Sequence, residues 1–270
     1  MRKTNISYLF IYLILIVIGF LSFFPFYYIL SSATNKSLDI IRGRLFFGVN
    51  LIKNLENLLT AIPFLMGFWN SMRNALVQTV GCLFICSLAG YGFQIYRSKA
   101  KDRLMTILLL SMMIPFATML IPLFRITSSL KLLNTTAGIV LPYLSTVFVI
   151  FFFRQSTQSF PIELVQAARV DGVGEIGIFF RIFMPVMAPT YAAAAIVVFL
   201  SGWNNYLWPL VVLQRESTRT LPVLIAQLGA GYVTDYGVQL LAITISIIPT
   251  LILFFSMQRQ FVEGILGSVK

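Results

Sequence analysis

Six long apolar stretches without a charged side chain constrain the fold of this chain more than any other feature. A helix that crosses the hydrocarbon core of a bilayer needs about 20 apolar residues, because each residue adds about 1.5 Å of length. We therefore predict an all-α polytopic membrane protein, a single transmembrane domain over residues 1–270. Its spans are expected at about 8–30, 75–96, 104–124, 136–153, 189–213 and 238–257, of which the fourth is the shortest.

The composition excludes a water-soluble domain. The chain is 58% hydrophobic and 11% charged, whereas a typical soluble chain is about 25% charged. Its formal net charge of +11 would suggest nucleic-acid binding in a soluble protein, but the basic residues lie in short segments beside the apolar stretches. Membrane topology explains such a distribution, so we expect the lipid bilayer, and no nucleic acid, as a partner.

The basic residues beside the spans orient the chain. The segment 97–103 holds four Lys or Arg residues, and Arg2 and Lys3 precede the first span. Such clusters stay in the cytoplasm, which predicts that both termini are cytoplasmic. The total bias is weak, with eleven basic residues inside and nine outside, so the two clusters carry the assignment. The remaining long segments are then external loops at 31–74 and 214–237 and a cytoplasmic segment at 154–188.

Catalytic groups and metal ligands are scarce in this sequence. It has no His, which is the commonest metal ligand and a frequent general base. Cys82 and Cys86 lie four residues apart in an apolar stretch, and we interpret both as small buried hydrophobic side chains. No catalytic residue and no metal site are therefore predicted. The lack of ionisable residues in the spans argues against a proton-coupled carrier and favours an uncharged substrate. The alternative classes are a stand-alone carrier or channel and a membrane-embedded enzyme.

The chain has no usual ATP-binding pattern. The glycine spacing of 172–177 matches the Gly-x-Gly-x-x-Gly pattern of dinucleotide-binding proteins, but that pattern counts only within a βαβ unit. Here a helix precedes it and a span follows it. A Walker-type Gly-x-x-x-x-Gly-Lys-Ser/Thr pattern does not occur in the sequence, so any ATPase that acts with this chain must be another protein.

The cytoplasmic segment has the pattern of two short helices joined by a tight turn. Pro161 and Glu163 stand where a first helical turn favours a proline and an acid, and Gly172 stands where a helix ends. The following stretch, 175–183, is rich in Ile and Phe and is expected to end before Pro185.

The turn of this hairpin has features that suit a docking contact. Ala167 and Ala168 leave a low helix surface that fits a groove, and Asp171 can cap or pair beside the reversal at Gly172. An amphipathic hairpin that merely rests on the membrane is the alternative, although it accounts for neither the two alanines nor the turn.

In this segment the chain resembles the permeases of binding-protein-dependent ATP-cassette importers. Their cytoplasmic signature is Glu-Ala-Ala, three residues and Gly, with a Leu-Pro pair further on; here it reads Gln166-Ala167-Ala168, then Gly172 and Met184-Pro185. The stretches 202–209 and 257–262 are also similar to the second permease of carbohydrate importers of the maltose and oligosaccharide type. Gln166 replaces the usual Glu, so a salt bridge that the family forms there would become a neutral contact.

The resemblance implies a set of partners. This chain would be one permease of a heterodimer with a second permease subunit in the bacterial cytoplasmic (inner) membrane, served by an extracellular or periplasmic sugar-binding protein through the loop 214–237. It would not be an enzyme and would bind no cofactor, because ATP and Mg belong to a separate ATPase dimer, against which the tail 259–270 would lie. The implied ATPase contacts lie in the 159–185 hairpin, at Gln166, Ala167, Ala168, Asp171, Gly172, Glu175 and Pro185.

A polar group late in the fifth span marks the candidate substrate path: Asn204, Asn205, Trp203 and Tyr206. Amides bind sugar hydroxyls and aromatic faces stack on sugar C–H faces, whereas the alternative is that the Asn residues join helices and the aromatic residues mark the membrane interface. We expect a disaccharide or short oligosaccharide as the solute. Glycerol phosphate diesters are a further candidate through the family, although the spans offer no cation for a phosphate.

Overall fold

The computed structural model describes the backbone of residues 6–231 and 234–266 and the side chains of Tyr8, 10–231 and 234–258. All regular structure within these residues is helical, which confirms the predicted all-α class. The predicted roles of Arg2, Lys3, Tyr232, the side chains of 259–266 and the end of the tail at 267–270 lie outside the described residues.

The α-helices follow one another through short connections. In chain order they are α1 Ile6–Ser32, α2 Ser37–Ile41, α3 Leu51–Ala61, α4 Phe64–Ile95, α5 Lys99–Ser111, α6 Phe116–Ser129, α7 Thr136–Val140, α8 Val147–Ser156, α9 Ile162–Val170, α10 Glu175–Ile178, α11 Met184–Val186, α12 Ala188–Trp203, α13 Leu207–Val212, α14 Leu221–Leu228 and α15 Tyr236–Leu266. A π-helix, Phe179–Phe183, joins α10 to α11.

Helix length and apolarity are compatible with six crossings of a bilayer. Three candidate spans are unbroken helices, at Phe10–Ser32, Phe64–Ile95 and Tyr236–Gln258. Three more are pairs of helical segments that bend at a short break: Lys99–Ser111 with Phe116–Ser129 by 99°, Thr136–Tyr143 with Val147–Ser159 by 48°, and Glu175–Val186 with Ala188–Trp203 by 80°. The count reaches six when each bent pair is one span, so the six-span topology stays a prediction.

Three of the predicted spans are divided, and the stretch 136–153 bends between Tyr143 and Val147. The stretch 104–124 contains the end of α5 and the start of α6, separated at residues 112–115. The helix stops there because the residue before Pro115 disfavours the helical conformation and Pro115 itself is extended, with ψ of 135°. The stretch 189–213 divides between α12 and α13.

The predicted external loops are not irregular. The loop 31–74 contains α2, α3 and the first turns of α4, and the loop 214–237 contains α14. In the sequence these segments read as loops because their helices are short or carry charged residues.

One compact unit consists of Met1–Leu65 with Leu224–Ile248. Its connections are fixed by a buried asparagine: Nδ2 of Asn54, which is 4% exposed, donates to the carbonyl oxygens of Ala33 and Asn35 at 2.8 and 3.0 Å. A buried amide without partners would destabilise the fold by about 1–3 kcal/mol, so these bonds hold the segment after α1 in place against α3.

The other unit consists of Met66–Val223 with Pro249–Lys270 and is organised around α4. Small residues let other helices approach α4 closely, as is common in membranes. A Cβ added to Gly90 of α4 would lie 2.6 Å from Cβ of Phe153 in α8. Cys82 and Cys86 are fully buried in the same cluster, which confirms that they pack as hydrophobic side chains.

The two ends of α4 hold different connecting segments. At one end, Nδ2 of Asn70 donates to the carbonyl oxygens of Ser217 and Arg219 at 3.0 and 3.1 Å. At the other end, the hydroxyl of Tyr91 donates to Glu175 at 3.4 Å. At 1.5 Å per residue these anchor points are about 31 Å apart, close to the thickness of a bilayer core. The predicted external loop and the predicted cytoplasmic hairpin therefore lie at opposite ends of α4.

Candidate functional site

The hairpin begins with α9, whose two faces differ in exposure. Val165 and Ala168 are 0% and 5% exposed and belong to a buried cluster with the aromatic rings of the next helical segment. Gln166 and Ala167 are exposed. Of the two alanines in the predicted low surface, only Ala167 is therefore open to a partner, whereas Ala168 supports the helix from within.

The turn after α9 is a Schellman motif. The N–H of Val173 donates to the carbonyl oxygen of Ala168 at 2.9 Å, and the N–H of Gly172 donates to that of Arg169 at 3.1 Å. Gly172 lies in the left-handed region at φ +75°, which glycine adopts without the steric penalty of a side chain. Asp171 takes the C-cap position. The predicted sharp reversal at Gly172 is confirmed.

An ion pair closes the turn. Nε of Arg169 lies 2.7 Å from Oε1 of Glu175, so the last turn of α9 is tied to the first turn of α10. The guanidinium of Arg169 also lies over the ring of Tyr96, 5.5 Å from its centroid. The Glu175 carboxylate raises the pKa of Arg169 above its ordinary value, so the guanidinium is charged at any physiological pH.

The second half of the hairpin is one continuous helical run from Glu175 to Val186. The expectation that it ends before Pro185 is wrong. The π-helix Phe179–Phe183 ends two residues before the proline, which cannot donate an α-helical bond to the carbonyl of Arg181. The widened turn accommodates the missing donor, and Pro185 stays exposed on the continued helix.

Aromatic rings attach this second helix to the end of α4. The ring of Tyr91 packs against Phe179 and Phe183, with centroids 5.6 and 4.8 Å apart. Both phenylalanines are buried. Edge-to-face aromatic pairs add about 0.5–1.5 kcal/mol each to the gain from burial, so these rings fix the second hairpin helix to the end of α4.

The opposite face of the hairpin is exposed and apolar. Val170 and Ile176, on either side of the turn, are 88% and 77% exposed, and Ala167 lies next to them on α9. Such a surface at the tip of a helical hairpin is suited to insertion into a groove of another protein. The predicted site residues Gln166, Ala167, Asp171, Gly172 and Glu175 are all exposed around this tip.

The predicted path residues lie at the far end of α12, apart from the hairpin. Asn204, Asn205 and Tyr206 form the break between α12 and α13, and Asn204 and Tyr206 are exposed. Non-helical backbone at membrane depth is tolerated only where protein surrounds it or where it lines a cavity. Trp203 instead is 2% exposed and stacks on Phe199, so its ring is a packing element within this chain.

A buried polar line on α4 escaped the sequence analysis. Asn70, Asn74 and Gln78 are 8%, 4% and 3% exposed, and the side chain of Gln78 lies against Gly202 beside the α12 break. Their spacing of four residues was visible in the sequence and indicates one helix face. No comparable sequence pattern identifies Tyr91 and Tyr96 as residues that contact the hairpin.

Comparisons with known proteins give consistent similarities. The family described as "Binding-protein-dependent transport system inner membrane component" matches residues 81–266. The chain is 46% identical over 259 residues to the lactose transport system permease protein LacG of Rhizobium radiobacter, covering 96% of this chain and 95% of that protein. It is 33% identical over 268 residues to the arabinooligosaccharides transport system permease protein AraQ of Bacillus subtilis (strain 168), covering 96% and 94%.

Among solved structures, the chain superposes with a TM-score of 0.84 on a chain of a bacterial ABC transporter involved in the import of the acidic polysaccharide alginate. The superposition covers 97% of this chain and 98% of the other, at 22% sequence identity. This likeness establishes the fold and leaves the solute open.

Proposed function

Because the chain belongs to the family of inner membrane components of binding-protein-dependent transport systems, we propose that it is a permease subunit of an ATP-driven sugar importer in the bacterial cytoplasmic membrane. It pairs with a second permease subunit, and its hairpin docks on a separate ATPase dimer that carries ATP and Mg. An extracellular or periplasmic sugar-binding protein delivers the solute. Both termini of the chain are cytoplasmic.

The two-sided structure of the hairpin is the observation that carries this proposal. One side is anchored to α4 by Tyr91, Phe179 and Phe183, and the other side ends in the exposed tip at Ala167, Val170 and Ile176. A segment that only rested on the membrane would have no need of a turn closed by both an ion pair and a Schellman motif. A lever between two proteins needs both, because a flexible turn would absorb the displacement.

Gln166 makes the contact with the ATPase neutral. Its amide is exposed beside Ala167 and offers hydrogen-bond donors and an acceptor but no charge. Coupling in this chain therefore depends more on the shape of the tip than on a salt bridge at position 166. Asp171 and the Arg169–Glu175 pair supply the charges near the contact.

The proposed solute is an uncharged disaccharide or short oligosaccharide. The names of LacG and AraQ refer to lactose and to arabinooligosaccharides, and the six predicted spans contain no charged side chain. The α12 break places Asn204 and Tyr206 at an exposed position, and Gln78 adds an amide nearby. Amides and an aromatic ring are suited to sugar hydroxyls and C–H faces.

The coupling role is tested by Ala167→Glu. The substitution adds a bulky charge at the tip without removing a contact inside the chain, so we expect normal insertion together with loss of both sugar uptake and sugar-stimulated ATP hydrolysis. Uptake of labelled sugar by cells and ATPase activity of the purified importer measure the two effects. Ala100→Glu is the matched control, because Ala100 is also exposed and belongs to the predicted cytoplasmic segment 97–103; it should retain both activities.

If Ala167→Glu retained uptake and stimulated ATP hydrolysis at the level of Ala100→Glu, the hairpin tip would not contact the ATPase. A loss of the protein from the membrane in Ala167→Glu, detected by immunoblotting of membrane fractions, would show a folding defect. Substitution of the exposed Val170 by Glu then provides a second test at the same tip.

A further inference from the structure

A groove runs along the side of the hairpin. It has a volume of about 340 Å³ and is lined by Phe84, Leu88, Tyr91, Tyr96, Glu175, Ile176, Phe179 and Phe180. This volume falls within the range of roughly 300–1,000 Å³ found for small-molecule sites. The lining residues come from α4 and the following Tyr96 on one side and from the second helix of the hairpin on the other. The proposed coupling and sugar path use neither Phe84 nor Phe180.

The exposed wall of the groove is almost entirely apolar. Phe84 and Phe180 stack at one end, with ring centroids 6.1 Å apart, and both rings are nearly half exposed. Tyr96 and Glu175 form the other end. Phe84 lies about 16 Å from the last residue of α4, Ile95, at 1.5 Å per residue, and Tyr96 follows that residue. The groove therefore extends from membrane depth to the interface predicted to face the cytoplasm.

A basic side chain, Lys101, lies beside the end of the groove at Tyr96 and Glu175. The amino group of Lys101 lies over the ring of Tyr96, 5.2 Å from its centroid, and donates to the carbonyl oxygens of Gly92 and Tyr96 at 3.0 and 2.8 Å. No described carboxylate neutralises its charge, and its third N–H is free for a headgroup oxygen. Lys99 and Arg103 lie on the same helix and are exposed. The acids nearby are already engaged, because Asp102 pairs with Arg97 and Arg154 and Glu175 pairs with Arg169.

An apolar trough with a cationic mouth is complementary to one class of ligand. Basic segments next to a membrane attract anionic lipid headgroups, and each Lys or Arg near the surface contributes measurably to the attraction. Aromatic side chains at the interface lie at headgroup level. We propose that the groove binds an anionic phospholipid of the inner leaflet, with an acyl chain along the exposed edges of the Phe84 and Phe180 rings and the headgroup at Lys101.

This site makes the hairpin sensitive to the lipid around it. The acyl chain would touch α4 and the second hairpin helix together, and the headgroup would lie beside the Arg169–Glu175 pair. The inference depends on the cytoplasmic placement of segment 97–103 and not on the identity of the solute.

Native mass spectrometry of the full-length chain in detergent tests the proposal, with phosphatidylglycerol and phosphatidylcholine added at equal concentration. We expect preferential retention of one phosphatidylglycerol. Leu88→Trp fills the groove and should abolish the retained lipid, whereas Leu76→Trp, at an exposed position of α4 outside the groove, should not. Lys101→Gln should lower the preference about five-fold, and Lys53→Gln of the predicted external helix α3 should leave it unchanged.

Equal retention of the two lipids would overturn the proposal, as would equal losses in Leu88→Trp and Leu76→Trp. The groove would instead be a protein interface if, in the assembled importer, Leu88→Trp released a partner subunit while lipid retention stayed at the wild-type level.

Discussion

At the scale of single residues, Gly172 determines the geometry of the hairpin. Its φ of +75° is unfavourable for any residue with a side chain, and a Cβ placed there would meet no other atom within 4 Å. The requirement for glycine is therefore a matter of backbone conformation and not of space. The sequence already indicated this, because a glycine that follows a helix with a polar C-cap residue is typical of a Schellman motif.

Substitution of Gly172 by Ala tests this requirement. The left-handed conformation disfavours an L-residue by roughly 1–2 kcal/mol, so amide exchange in peptides covering the turn should become about 5–30-fold faster by hydrogen–deuterium exchange. Gly174→Ala is the matched control, because Gly174 has φ −68° and open space around its Cβ position. Similar exchange in the two variants would show that the turn does not depend on the positive φ.

The path assignment makes a separate prediction at this scale. Asn204→Ala should lower sugar uptake by roughly 3–10-fold, because a hydrogen bond to an uncharged partner contributes about 0.5–1.5 kcal/mol. Ser201→Ala, at another exposed position of α12, should have no such effect. Uptake measured at several sugar concentrations separates an effect on the affinity for the sugar from an effect on the maximal transport rate. Unchanged uptake in Asn204→Ala would contradict the path assignment and favour the alternative, in which Asn204 joins helices.

At the scale of helices, the sequence identifies the apolar stretches but not the places where they break. Pro122 and Pro249 lie inside continuous helices, whereas a break precedes α6 at Pro115. The sequence offers the same residue type in all three places. The outcome depends on whether neighbouring groups satisfy the carbonyl that the proline leaves free, and those neighbours come from distant parts of the chain.

The contact of α4 with α8 depends on Gly90, whose neighbours in α8 are also distant in the sequence. Gly90→Ala should destabilise the protein by about 1–3 kcal/mol, because the new Cβ would collide with Cβ of Phe153 and the backbone N of Arg154. Gly92→Ala, two residues further along α4, meets nothing within 4 Å and should be neutral or stabilising, since alanine favours helices. Thermal unfolding in detergent distinguishes the two variants. Equal midpoints would show that α8 is not packed at Gly90.

At the scale of the whole molecule, the sequence predicted the fold class and the hairpin but missed the contacts that fix them. The length of an apolar stretch and the presence of a basic cluster are local properties of the sequence, so the spans could be predicted from them. Tyr91 and Tyr96 could not be identified as hairpin partners, because their contacts with Glu175 and Arg169 join segments more than 70 residues apart. The contacts of Tyr91 and of Asn70 lie near opposite ends of α4. This separation supports the prediction that the hairpin and the loop 214–237 lie on opposite sides of the membrane.

The topology itself can be tested by labelling. Both native cysteines are fully buried, so they give a low background with a membrane-impermeant maleimide. Lys99→Cys should react only after the membrane is permeabilised, whereas Arg215→Cys should react in intact spheroplasts. Labelling of both positions from the same side would contradict the placement of segments 97–103 and 214–237 on opposite faces.

The central claim is that the hairpin transmits work from a separate ATPase into a bundle that has no energy source of its own. The direct measurement is sugar uptake into proteoliposomes that contain this chain, the second permease and the binding protein, with and without the ATPase subunits and ATP. We predict uptake against a gradient only when ATPase and ATP are both present, and its loss in Ala167→Glu. Accumulation of sugar by the permeases alone would contradict the account.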